Sequence, residues 1–111
     1  MQHLSKLPSD VPTVLLGDFN ATPAQDCYGV FTKKDESFLQ KGPLFKNAAG
    51  KPFVGTYHGF EGRTDGDHID WILYRGHISP VSYDVVASRF EGVYPSDHFP
   101  VYAEFKWIDK N

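Results

Sequence analysis

The stretch VPTVLLGDFN, residues 11–20, decides how the fold is read. Val14-Leu15-Leu16 is a short aliphatic run of the kind that forms a strand buried on both faces. It ends abruptly in Gly17, a carboxylate at Asp18 and an amide at Asn20. A buried strand that carries such groups to its end sets them where desolvation is costly unless a partner answers them.

On the C-terminal side, TPAQ (22–25) is a helix start, with Thr22 as N-cap, Pro23 at N1 and Gln25 at N3 closing a capping box. The helix is expected to run to about Lys33 and to hold Cys27 as a small buried hydrophobe. On the N-terminal side, MQHLSKL (1–7) has the spacing of a last helical turn, broken by Pro8 and Pro12, and a second helical piece is expected around 36–41, ending at Gly42-Pro43. From Gly55 the pattern turns to strands. GTYHGF (55–60) reads as a short one, and the Gly- and Asp-rich loop EGRTDGD (61–67) follows. HIDWILY (68–74) is apolar on both alternating sets apart from Asp70. Val81, Tyr83, Val85 and Ala87 share one face of the next strand, and Val101, Ala103, Phe105 and Trp107 one face of the last. The order predicts an α+β domain: a mixed, largely antiparallel sheet with helices on one face.

The composition bounds the function. The chain has 111 residues, one domain's worth, and 41% hydrophobic residues with 15% aromatic suffice for a core. A net charge of −3 with scattered Lys and Arg gives no basic stripe, which disfavours a stand-alone nucleic-acid binder. One cysteine rules out a disulfide framework and a Cys-rich zinc site. No apolar stretch is long enough for a membrane span, so the expectation is a soluble chain, cytoplasmic by default, with secretion after removal of a signal not excluded.

Three places break the strands with polar residues: Asp18 with Asn20, Asp70, and Ser96-Asp97-His98. Each has a plainer reading. Asp and Asn favour turns, Ser96-Asp97 can open a turn after Pro95, and a lone histidine is commonly structural. Asp70 resists that reading, because a carboxylate inside an apolar strand needs a partner, and His98 is available. The first strand runs into its polar pair while the later two run out of theirs. If the first lies antiparallel to the others, all three clusters meet at one edge of the sheet. Such a pocket suits phosphoester hydrolysis, which needs a divalent cation, a group that orients water and a donor for developing negative charge. Hard oxygen ligands favour Mg²⁺, Mn²⁺ or Ca²⁺ over zinc. A histidine held by Asp70 has the logic of an oriented, proton-bearing imidazole.

GDFN (17–20), HIDWIL (68–73) and SDHFPV (96–101) occur in an order and spacing that resembles the endonuclease/exonuclease/phosphatase superfamily. That group takes in exonuclease III-like and DNase I-like enzymes, inositol-polyphosphate 5-phosphatases and sphingomyelinases. NATP (20–23), GTYHGF and the YPSDHFPVYAEF ending (94–105) look most like bacterial members. The resemblance implies that Asp18 activates or positions the attacking water and that Asn20 helps to hold water, phosphate or metal. It implies that Asp70 orients His98, that His98 contacts the phosphate, and that Asp97 is an acidic residue of the metal site, with Asp18 and Asn20 as further ligands of Mg²⁺ or Mn²⁺. Thr56, Tyr57 and His58 match a Thr-aromatic-His strand of less defined role. His68 departs from the usual Arg before Ile-Asp, with Arg63 as a candidate substitute, and His3 and His77 are expected at the surface.

The family's domain is a four-layered αββα sandwich, and residues 1–111 resemble only its C-terminal half, without the N-terminal Asn, the metal-binding Glu and the mid-chain His motif. An uncovered sheet face is then expected, and with it self-association or pairing with the missing N-terminal half. Two functions follow. One is part of a metal-dependent phosphoesterase whose substrate is a phosphate ester of unspecified class. The other is a catalytically inactive module that binds or self-associates through the open sheet.

Overall fold

The structure, a computed structural model, describes residues 11–32 and 44–108. The expected helical turns over 1–7 and 36–41, and with them His3, lie outside the described residues.

β1 (Thr13–Asp18) lies antiparallel to β3 (Asp70–Arg75), in a register that runs from Thr13 opposite Arg75 to Asp18 opposite Asp70. The short β2 (Lys46–Asn47) pairs with the other edge of β3, which makes β3 the central strand. Central position explains its composition: with a strand on each side and cover on both faces, Trp71 and Leu73 are fully buried and Ile72 nearly so. β4 (Ile78–Val85) and β5 (Val101–Trp107) form a second, two-stranded antiparallel sheet. The antiparallel α+β class holds, but the ladder is divided into two sheets rather than continuous.

The helix α1 (Asp26–Thr32) covers one face of the first sheet. Phe31 packs into the core with Phe45, Trp71, Leu73 and Ala21, and Leu15, Phe19, Tyr28 and Val30 close around them. Phe19 stacks on Trp71 at 4.4 Å and Tyr28 meets the same indole edge-on at 4.9 Å, so one tryptophan joins strand, turn and helix. The capping box is half realised: the Thr22 N–H donates to Gln25 Oε1 at 2.7 Å. Residues 23–25 form a turn, however, and the α-helix begins at Asp26, later than Pro23. Cys27, in the first helical turn, is exposed rather than buried, because the core-facing residues of α1 are Tyr28, Val30 and Phe31.

Alternation decides what faces the other way. β1 is an edge strand, and only Leu15 turns to the helix side, leaving Val14 41% and Leu16 65% exposed. The double-sided burial expected of this strand is therefore absent. On β3 the set Asp70, Ile72, Tyr74 faces away from α1, and Tyr74 meets Phe105 of β5 at 5.4 Å. Asp18 and Asp70, directly opposite in register, consequently share the face that looks toward the second sheet.

The second sheet shows two further departures. A register shift between Pro80 and Ser82 leaves Val81 exposed, so it does not share a packed face with Tyr83 and Val85. On β5 the alternation holds through Val101, Ala103 and Phe105, but Trp107 is 79% exposed. GTYHGF is not a ladder strand either; it makes a single bridge, Tyr57 to His98, and then turns at Gly59 and Phe60, both at positive φ. Two glycines explain how it fits. A Cβ on Gly55 would sit 2.5 Å from Gly66 O, and one on Gly66 would sit 2.5 Å from Tyr57 O, so the two backbones touch where no side chain has room.

Candidate functional site

The three polar breaks meet at the end of β1, as the opposing strand directions required. Asp18 does two things. Its Oδ1 accepts the Asn20 backbone N–H at 2.9 Å, an Asx turn that settles Asn20 at φ 54°, a left-handed conformation that asparagine tolerates. Its Oδ2 stands 3.9 Å from His98 Nε2. One oxygen of Asp18 thus makes the turn, and the other faces the His98 imidazole.

Asp70 opens β3, half-buried, and its Oδ2 accepts the His98 Nδ1–H at 2.7 Å. This short bond is the partner that a carboxylate in an apolar strand requires, and it turns Nε2 toward Asp18. Asp97 Oδ1 lies 4.0 Å from the same Nε2. Hydrogen bonding to Asp70, reinforced by the charges of Asp70, Asp18 and Asp97, raises the His98 pKa above its ordinary value against a smaller opposing effect of burial. The loop before β5 is fixed twice: the His98 N–H donates to Ser96 Oγ at 3.1 Å, and the Asp97 carbonyl accepts the N–H groups of His58 and Gly59. Ser96 therefore does form the turn, and that turn presents His98.

Asp18, Asp70 and His98 bring one ligand atom each within 4.8 Å of one another. Asp70 Oδ2 is engaged by the imidazole and Asp18 Oδ1 by the Asn20 N–H, so Asp18 Oδ2 is the exposed carboxylate oxygen facing the cluster, with Asp97 and the exposed Asn20 beside it. A hard-oxygen set this sparse fits a Mg²⁺-like ion, which is commonly held by one or two carboxylates and completed by water and substrate phosphate. An apolar cleft of 200 Å³ opens beside the carboxylates, lined by Leu16, Trp71, Phe99 and Val101 among others.

The remaining sequence candidates separate. Thr56 is fully buried and its Oγ1 accepts the N–H groups of Ile69 and Asp70 at 3.0 and 3.1 Å. The Tyr57 ring meets the His98 imidazole edge-on at 5.3 Å. His58 stacks on Phe99 at 4.0 Å and accepts the Gly62 N–H at Nδ1, a structural role. His68 points away from the site: its Nδ1–H donates to Val54 O at 2.8 Å, Asn47 Nδ2 donates to its Nε2, and its ring stacks on Phe53. Burial lowers its pKa and favours the neutral imidazole. Arg63 is paired with Asp65 at 2.8 Å on the surface, in a neighbouring cleft of 320 Å³ that Tyr57 and His58 also line. His77 is partly exposed in the β3–β4 turn. Tyr83 was legible only as a strand residue. Its hydroxyl is buried without a hydrogen-bond partner among the described residues, and burial with the charges of Asp70 and Asp84 pushes its pKa up to about 12.

The pattern that defines the Endonuclease/Exonuclease/phosphatase family matches residues 3–98, and the chain belongs to that family. No curated protein sequence matches it. Among solved structures it is similar to a functionally unknown conserved protein from Enterococcus faecalis, at 25% identity and a TM-score of 0.71, over 96% of this chain and 40% of that one. It is similar to a mannosyl-6-phosphatase from Bacteroides thetaiotaomicron, at 25% identity and 0.70, over 96% of this chain and 41% of that one. An endonuclease/exonuclease/phosphatase family protein from the same organism aligns at 26% identity and 0.68, over 95% and 39%. The chain thus spans about 40% of the length of these neighbours. Among the described residues no helix is long and apolar enough to cross a membrane.

Proposed function

We propose that this chain is the C-terminal half of a metal-dependent phosphoesterase domain and carries the water- and phosphate-handling side of its site. The observation that supports this reading most is the Asp70–His98–Asp18 line: an imidazole held at Nδ1 by one carboxylate, with Nε2 directed at a second 3.9 Å away. Asp18, Asn20 and Asp97 would hold Mg²⁺ or Mn²⁺, which supplies Lewis-acid polarisation of the phosphoryl oxygen. The rest is done by the chain's own groups. Asp18 Oδ2 orients a water, His98 donates a hydrogen bond from Nε2 to the phosphoryl oxygens as charge builds, and Asp70 keeps the imidazole protonated at Nδ1 and aligned. The mannosyl-6-phosphatase likeness supports a phosphate ester as substrate. The acidic surroundings and the net charge of −3 argue against a nucleic-acid strand.

The test is release of phosphate from a generic phosphomonoester and cleavage of a generic phosphodiester, in Mg²⁺ or Mn²⁺. EDTA and His98→Ala should each abolish turnover. Turnover indifferent to both would refute the reading.

A second reading, an inactive module that binds or self-associates, is favoured by the exposed Leu16 and Val14 of β1 and by Trp107, which is 79% exposed on β5. It predicts a dimer by analytical ultracentrifugation that Leu16→Lys dissociates, with no metal-dependent turnover. A monomer at high concentration would sink it.

A further inference from the structure

Asp70 opens β3 of the first sheet, whereas His98 lies just ahead of β5, which among the described residues pairs only with β4 of the second. No sheet ladder connects them, so something else must hold two side chains at 2.7 Å. The connection runs through residues 55–59. The Thr56 Oγ1 accepts the N–H groups of Ile69 and Asp70, and its own hydroxyl proton goes to Asp67 O at 3.4 Å. The threonine backbone reaches the other side, its carbonyl accepting the Phe99 N–H at 2.7 Å. The next residues continue the clamp: Tyr57 bridges His98, and the His58 N–H donates to Asp97 O at 2.8 Å.

We infer that Thr56 is the positioning residue of the Asp70–His98 pair, fixing the carboxylate through its side chain and the histidine strand through its backbone. A hydroxyl has two acceptor lone pairs and one proton, and all three are used here. Valine has the same shape and none of these capacities. Serine keeps all three. Thr56 is 0% exposed, so water cannot replace the lost acceptor without entering the core. A carboxylate whose backbone is released shifts relative to its partner, and alignment at this scale governs how well such a pair acts. The inference rests on the proposed phosphoesterase reading only for its catalytic meaning; the positioning itself is a property of the fold.

The readout is the downfield imidazole Nδ1–H resonance of His98, recorded by NMR on the full chain in EDTA, with near-UV circular dichroism as the control for tertiary packing. The wild type and Thr56→Ser should show the resonance, and Thr56→Val should lose it while keeping the near-UV spectrum. A folded Thr56→Val that retains an unchanged resonance overturns the inference. Should the valine variant fail to fold, Thr56→Cys supplies the intermediate case, since sulfur accepts hydrogen bonds weakly. A shifted and faster-exchanging resonance supports the inference there, and an unchanged one overturns it. The resonance is read without turnover, so the result stands whether or not the chain hydrolyses an ester.

Discussion

Replacing Asp70 by Asn keeps the size of the side chain and removes the charge that His98 leans on. What is weakened is a 2.7 Å charge-assisted hydrogen bond between a half-buried carboxylate and a partly exposed imidazole, since the amide oxygen can accept the Nδ1–H but brings no charge. Bonds to charged groups contribute about 1.5–3 kcal/mol, and partial exposure places this one near the lower end, ~1.5 kcal/mol. With a urea m-value of about 1–3 kcal/mol/M for a small domain, the unfolding midpoint should fall by ~0.5–1.5 M. The pH dependence is the sharper part. The folded-state pKa of His98 is raised, chiefly by this bond, so its stabilising contribution is fully present below the unfolded histidine value of about 6.5. It is lost as pH rises through the higher folded value. The gap between wild type and Asp70→Asn should therefore be widest near pH 6 and narrow on the alkaline side. His68 has the opposite sign, because burial lowers its pKa and protonation in acid destabilises the fold. The Asp70 charge partly opposes that lowering, so Asp70→Asn makes His68 harder still to protonate and widens the gap on the same, acidic side. Urea midpoints across about pH 5.5–9 in EDTA provide the assay. A gap that is flat with pH, or that widens toward alkaline pH, would refute the reasoning.

Three other perturbations separate the parts of the account. Leu73→Ala removes a fully buried side chain from the centre of β3 and should cost about 2–5 kcal/mol, read as a lowered urea midpoint with an unchanged m-value. Gly66→Ala places a methyl 2.5 Å from the Tyr57 carbonyl. It should destabilise by about 1–3 kcal/mol and broaden the amide resonances of 55–58, whereas the same change at Gly50, which has open space around it, should leave both nearly unchanged. Asp18→Asn removes the exposed carboxylate from the oxygen set, so Mn²⁺ binding followed by electron paramagnetic resonance should weaken about 10-fold or more while the folded state persists.

Much of the site was legible because polar residues inside apolar strands carry directional information. Asp18 ends its strand and Asp70 begins its own, and an antiparallel pairing can only set them side by side, as the Asp18–Asp70 register does. Asp70 also needed a partner on desolvation grounds, and His98 meets it. What stayed hidden depends on tertiary placement. An aliphatic run such as Val14-Leu15-Leu16 does not say whether its strand is central or at an edge, and here the edge position exposes two of the three. The shift at Pro80–Ser82 that releases Val81 has no periodic signature, and Cys27 lies on a helix too short for periodicity to fix its face. His68 and His98 look alike in sequence, yet one is bonded to Val54 and Asn47 with its pKa lowered by burial, and the other is held by Asp70 with its pKa raised. Only their neighbours in space distinguish them.

The central claim is that Asp18, Asp70 and His98 act as one phosphate-handling unit, and non-additivity of their removal tests it most directly. Initial rates of phosphoester hydrolysis in Mn²⁺ would be compared for the wild type, Asp18→Asn, His98→Ala and the double variant. The account predicts losses on the order of 10²- to 10⁴-fold for each single change and a double variant no slower than the worse of the two. Losses that multiply, or a rate that survives either change, would contradict it.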